Sequence, residues 1–153
     1  MKFVSVEAIV RAFDEASVPF IVVGGLAVVA HGYGRQTQDI DVVIRSRPET
    51  IRNAFRALET LGYRPRIPVT ADGFADPDQR EGRIKEKGMT VLNFYSDRHR
   101  ETPVGVFVTE PFGFSEEYRL AMIEEVAGPP PGSLRLDARY LERTLTRSAI
   151  RRR

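Results

Sequence analysis

The sequence predicts an α/β (α+β) fold, a small mixed β-sheet of four to five strands flanked by helices. Short β-branched or aromatic runs recur between turn residues, at 20–23, 39–45, 89–94 and 104–109. Two further segments, 6–16 and 49–61, repeat apolar residues every three or four positions, which is the helical period. The chain has 153 residues, 42% of them hydrophobic, enough for one core and too little for two.

The elements follow in chain order. In 6–16, Ile9, Val10 and Phe13 share a helical face, with Glu7, Arg11 and Asp14 between them, and the helix must end before Pro19. Residues 20–23 form a buried strand that turns at Gly24-Gly25. The apolar, alanine-rich stretch 26–31 suits a short helix stopped by Gly32-Tyr33-Gly34. After Asp39-Ile40-Asp41, the run Val42-Val43-Ile44 favours a second strand.

Pro48 suits the first turn of the next helix, which carries Ile51, Phe55, Leu58 and Leu61 on one side and stops at Gly62. Residues 63–88 hold prolines, glycines and many charges, so they read as a loop bordering the cleft, with a short helix near 78–87. Two strands, 89–94 and 104–109, lead to a helix over 115–126. Gly128-Pro129-Pro130-Pro131-Gly132 then forms a stiff linker, and Leu134, Ala138, Leu141, Leu145 and Ala149 define a C-terminal helix. The predicted division is a domain over 1–127 and, packed on it, a linker and basic helix over 128–153.

Composition excludes several classes of chemistry. With no cysteine there is no disulfide, thiolate nucleophile or cysteine-held zinc, so a metal would need oxygen or histidine ligands, which favours magnesium. No apolar run reaches the roughly 18 residues of a membrane span and no signal peptide is evident, so a cytoplasmic protein without membrane partners is expected. The net charge of +2 is unevenly placed: residues 135–153 carry +5, and residues 1–134 carry −3.

The chemistry gathers at Val23-Gly24-Gly25-Leu26-Ala27 and, shortly after, Arg35-Gln36-Thr37-Gln38-Asp39-Ile40-Asp41. Side chains alternate along a strand, so Asp39 and Asp41 face one way, their Cα atoms about 6.5 to 7 Å apart, while Ile40 enters the core. Two adjacent carboxylates repel each other, and a hard cation relieves that repulsion. Gly24 and Gly25 allow a backbone to approach an anion closely, at a helix N-terminus whose free N–H groups favour phosphate.

Singly, the glycine pair reads as an ordinary tight turn and the aspartates as an exposed strand edge. Their ordered combination with Arg35 and Thr37 resembles the nucleotidyltransferase superfamily, most closely its minimal, abortive-infection toxin-like branch, where Arg-x-Thr-x-Asp-x-Asp follows the glycine pair. The resemblance covers about the first 120 residues. It implies a nucleotidyltransferase-like fold and transfer of a nucleoside monophosphate from an NTP to a hydroxyl acceptor on RNA, protein or a small molecule. It also implies Mg2+ or Mn2+ on Asp39 and Asp41, phosphate contacts from Gly24, Gly25, Arg35 and Thr37, and a role as toxin beside a cognate antitoxin protein.

In that superfamily a third carboxylate stands on a later strand, and here Gly105 in Val104-Gly105-Val106 takes its place. Glycine can neither coordinate a metal nor accept the acceptor's proton. Asp97, Glu101 and Glu110 are the nearby substitutes, the first two in a loop and the third five residues along. An alternative reading is therefore a catalytically impaired homologue that binds nucleotide or a partner.

Another reading is an RNA-binding module. Arg135, Arg139, Arg143, Arg147 and Arg151 recur every fourth residue, forming either a basic ridge or a solvated helix face. The dinucleotide-binding pattern lacks its third glycine after Gly25. His31 reads as a packed or capping residue, and His99 sits alone in a charged loop.

Overall fold

The structure is a computed structural model that describes residues 1–25, 38–126 and 132–136, with 122–126 and 132–136 described by backbone alone. Helix α1 (Phe3–Glu15) precedes β1 (Phe20–Val23) and β2 (Ile40–Ile44). Helix α2 (Pro48–Thr60) leads to β3 (Tyr63–Pro65), α3 (Ala71–Ala75) and α4 (Pro77–Lys87). Strands β4 (Val91–Ser96) and β5 (Val104–Phe107), α5 (Phe114–Leu120), β6 (Met122–Val126) and β7 (Gly132–Leu136) complete it.

The mixed α/β architecture matches the expectation. Strands β1 to β5 make a five-stranded mixed sheet, which the β6–β7 hairpin extends to the order β3-β4-β5-β2-β1-β7-β6. Strand β2 runs antiparallel to β1 and parallel to β5, and β4 runs antiparallel to both β5 and β3.

The sheet's two faces differ. Phe20, Val22, Ile40, Val42, Ile44, Leu92, Phe94, Val104 and Val106 join Ile9, Val10 and Phe13 of α1 and Ile51 and Leu58 of α2 in the main core. Helix α1 packs on α2, and α2 on α3. On the other face, among the described residues, Ile21, Val23, Val43 and Phe114 form a small second cluster beneath α5. Because β1 is buried on both faces it reads as a continuous apolar run, whereas β4 alternates buried and exposed residues.

Local chemistry explains the helix ends. Pro48 occupies the first turn of α2, where its missing N–H costs nothing, with Glu49 beside it facing the positive end of the helix dipole. Asp76 caps α4 by accepting from the N–H groups of Asp78 and Gln79, and Gly88 ends that helix at φ +60°.

Three expectations are corrected. The 115–126 helix stops at Leu120 because Ala121 turns extended, and Met122–Val126 pairs with Gly132–Leu136 as a hairpin. Cross-strand hydrogen bonding there overrides a weak helical period. Gly132 and Leu134 thus belong to β7 and not to a linker and helix, and Arg135 leaves the predicted basic ridge. The remainder of the C-terminal helix and ridge, and the 26–31 helix with its Gly32-Tyr33-Gly34 stop, lie outside the described residues. The short helix expected near 78–87 is α4, but residues 63–76 form β3 and α3 where a loop was expected, with Phe74 and Ala75 buried in the main core.

Tyr63 ties the sheet edge to the β4–β5 connection. Its hydroxyl donates to the Thr102 carbonyl at 2.6 Å, and burial pushes the phenol up to about 12. The unfolded phenol ionises near its ordinary value of about 10, so the stabilising difference is intact below pH 10 and is lost as pH rises toward 12. Urea midpoints between pH 9 and 11.5 are expected to fall along this course, by roughly 2 kcal/mol at most. Tyr63→Phe should lose about 1 kcal/mol at neutral pH and show a shallower alkaline decline.

Candidate active site

Strand pairing assembles the site. The N–H of Ile40 donates to the Pro103 carbonyl at 3.0 Å, and its fully buried side chain anchors the start of β2 in the main core. Alternation then sends Asp41 to the opposite face, as predicted. Asp41 lies in register with Val23 of β1 on one side and Gly105 of β5 on the other. Asp39 is exposed just ahead of the strand.

The Asp41 carboxylate fits a slot between two glycines. A Cβ on Gly24 would stand 2.8 Å from Asp41 Oδ2, and one on Gly105 would overlap Asp41 Oδ1 and stand 2.8 Å from Val91 Cγ1. Real Cβ atoms do not come this near, so the carboxylate occupies space that side chains at 24 and 105 would need. Gly24 also leaves β1 at φ +71°, a backbone region that L-residues seldom adopt.

Burial pushes the Asp41 carboxyl above its ordinary value, and the adjacent Asp39 charge pushes it further the same way. The two carboxylates are therefore close enough to repel each other and offer only oxygen donors. Among the described residues, no group of three or more His, Asp or Glu is placed to hold a metal ion. Two carboxylates still fit magnesium, which commonly binds through one or two of them while phosphates and waters complete its octahedron.

The candidate replacements for a third carboxylate are engaged elsewhere. Asp97 pairs with Arg64 at 3.3 Å and Glu101 with Lys2 at 3.2 Å. Glu110 accepts from the Ser46 N–H at 3.0 Å, beyond the far end of β2. His99 bonds Ser5 Oγ through Nδ1 at 2.8 Å and stacks on Tyr63 at 5.7 Å, so it fastens the β4–β5 connection to α1. Ser5 is buried in that contact and offers no open nucleophile.

The structure thus brings Gly24, Asp39, Asp41 and Gly105 together, with Gly25 directly following Gly24. Arg35 and Thr37 lie outside the described residues. Sequence reasoning did not single out Asn93, which lies in register with Gly105 on β4 and is exposed on Asp41's face. The alternation of Val91, Asn93 and Tyr95 with Leu92 and Phe94 was the available signal. Compared with known proteins, the chain matches no family model and no curated protein. Among the described residues no helix is long and apolar enough to cross a membrane.

Proposed function

We propose that the chain is a metal-dependent nucleotidyltransferase-like protein, transferring a nucleoside monophosphate from an NTP to a hydroxyl acceptor. The observation that carries this reading is the convergence of Asp41, its neighbour Asp39 and the Gly24 turn at one end of the β1–β2 pair. Asp39 and Asp41 would hold magnesium or manganese, which when bound neutralises charge developing on the phosphoryl oxygens. Gly24 and Gly25 leave the backbone open to the triphosphate, and Arg35 and Thr37 are assigned to balance its charge and brace the turn.

In the reaction the acceptor oxygen bonds to the α-phosphorus while the bond to the bridging oxygen breaks, and pyrophosphate leaves with the electron pair. With glycine at 105, the acceptor's proton passes to water instead of to a carboxylate there. A cytoplasmic toxin with a cognate antitoxin is the biological setting that this proposal carries with it.

The register of Gly105 with Asp41 favours a second reading, a catalytically impaired homologue that binds nucleotide or a partner. The deciding experiment measures label transfer from each α-labelled NTP, with magnesium or manganese, into total RNA and protein. Transfer that falls at least about 100-fold in Asp39→Ala/Asp41→Ala supports the enzyme. If wild type transfers nothing yet binds NTP in an Asp-dependent way, the impaired homologue replaces it.

A further inference from the structure

Among the described residues, the face that carries Asp41 continues beyond Gly105 as an exposed surface on β4 and β3. Cross-strand registers place Asp41, Gly105 and Asn93 in one row, and the Arg66 N–H donates to the Asn93 carbonyl at 2.8 Å, so β3 extends that row. Three strand spacings separate Asp41 from Arg66, about 14 Å. Gly105 is buried beneath the Asp41 carboxylate and Val91, whereas Asn93, Arg64 and Arg66 are exposed.

Tyr95 stands on the same face and is 37% exposed. The guanidinium groups of Arg64 and Arg66 lie 5.3 and 5.8 Å from its ring centroid. Beside them is a hollow of about 540 Å³ lined by Arg66, Tyr95, Ser96, Asp97 and Arg100. Arg64 also meets Asp97 at 3.3 Å, and Arg100 approaches it at only 4.0 Å. Arg66 has no carboxylate partner among the described residues. Three arginines against one aspartate leave this patch positive within a region, residues 1–134, whose net charge is −3.

A part-exposed ring flanked by two guanidinium groups, in a patch that sets one aspartate against three arginines, is the chemistry that takes a stacked base and its phosphate. Every base has a π-face, guanidinium planes stack as aromatic rings do, and arginine binds phosphate through paired N–H groups. An acidic peptide would use the charges but not the ring. We propose that the surface formed by Arg64, Arg66, Asn93, Tyr95 and Arg100 binds single-stranded nucleic acid and presents its end to Asp41. The presentation rests on the transfer reaction proposed above; the binding does not.

The test is fluorescence anisotropy of labelled 12-mers, RNA and DNA of one mixed sequence, on the full chain without NTP or metal, with poly-glutamate of equal charge as competitor. Wild type should bind an oligonucleotide at 50 mM salt more tightly than poly-glutamate. Tyr95→Ala should weaken binding about 5- to 100-fold, with Tyr95→Phe close to wild type, because stacking needs the ring and not its hydroxyl. Arg66→Ala should weaken binding and lower the slope of log K against log salt by about 1.

An RNA preference over DNA would identify RNA as the strand, and equal affinity would leave the shared single-strand chemistry standing. Binding that is unchanged in both Tyr95→Ala and Arg66→Ala, or poly-glutamate that competes as well as nucleic acid, overturns the proposal. Asp39→Ala/Asp41→Ala should keep nucleic-acid affinity, so loss of transfer with retained binding removes the reaction alone.

Discussion

In chelator, Gly105→Asp is expected to unfold at a clearly lower urea concentration than wild type, a loss of about 3 kcal/mol, most of which added manganese restores. The new Cβ would overlap Asp41 Oδ1 and crowd Val91, so Asp41 must swing out of its slot. Overpacking of this kind costs about 1–3 kcal/mol. A third carboxylate, beside an Asp41 already raised by burial and by Asp39, adds repulsion.

A divalent cation reverses the sign of that last contribution, and at about a hundredfold above its Kd it returns roughly 2.7 kcal/mol. Gly105→Asn separates the two effects, since it keeps the crowding and lacks the charge. It should be destabilised and respond to manganese less than Gly105→Asp does. If Gly105→Asp responds no more than Gly105→Asn, residues 39, 41 and 105 do not form a cation site. If manganese does rescue Gly105→Asp, label transfer above the wild-type level would identify the natural chain as the impaired form.

The largest loss of stability is expected on β4. Phe94 is 1% exposed and meets Phe55 edge to face at 5.1 Å, so Phe94→Ala should cost about 3–5 kcal/mol in urea unfolding. That is a large part of the 5–15 kcal/mol typical of a domain. Its neighbour Tyr95 points to the opposite face, and Tyr95→Ala should cost under about 1 kcal/mol. Comparable losses at the two positions would contradict the alternation on which both the core and the open face depend.

Elements whose signals are local could be read directly from the residues. Pro48 and the spacing of Ile51, Phe55 and Leu58 place α2, observed at Pro48–Thr60, and the runs in β1 and β2 identify those strands. The short helix expected near 78–87 is observed as α4, Pro77–Lys87. Strand β3 escaped because it has three residues and contains Pro65, and it is a strand only through pairing with β4. Strands β6 and β7 escaped for a related reason: each supplies the other's hydrogen bonds across the proline-rich stretch.

The candidate site divides along the same line. Asp39, Asp41 and the glycine pair are close in sequence, and the position of Gly105 follows from a strand pattern. Arg64, Arg66, Asn93 and Tyr95 become neighbours only through the β3–β4 register, and apart they resemble ordinary charged connections.

Strand β3 is one of the two ends of the sheet order among the described residues, and its character bears on association in concentrated solution. An uncovered sheet edge is a template on which another molecule can add a strand, the first step toward aggregation. Here that edge is three residues long, includes a proline that cannot donate a hydrogen bond, and is bordered by the positive charges of Arg64 and Arg66. The arginines therefore act as gatekeepers of colloidal stability, and neutralising both leaves Pro65 as the principal barrier to edge-to-edge growth.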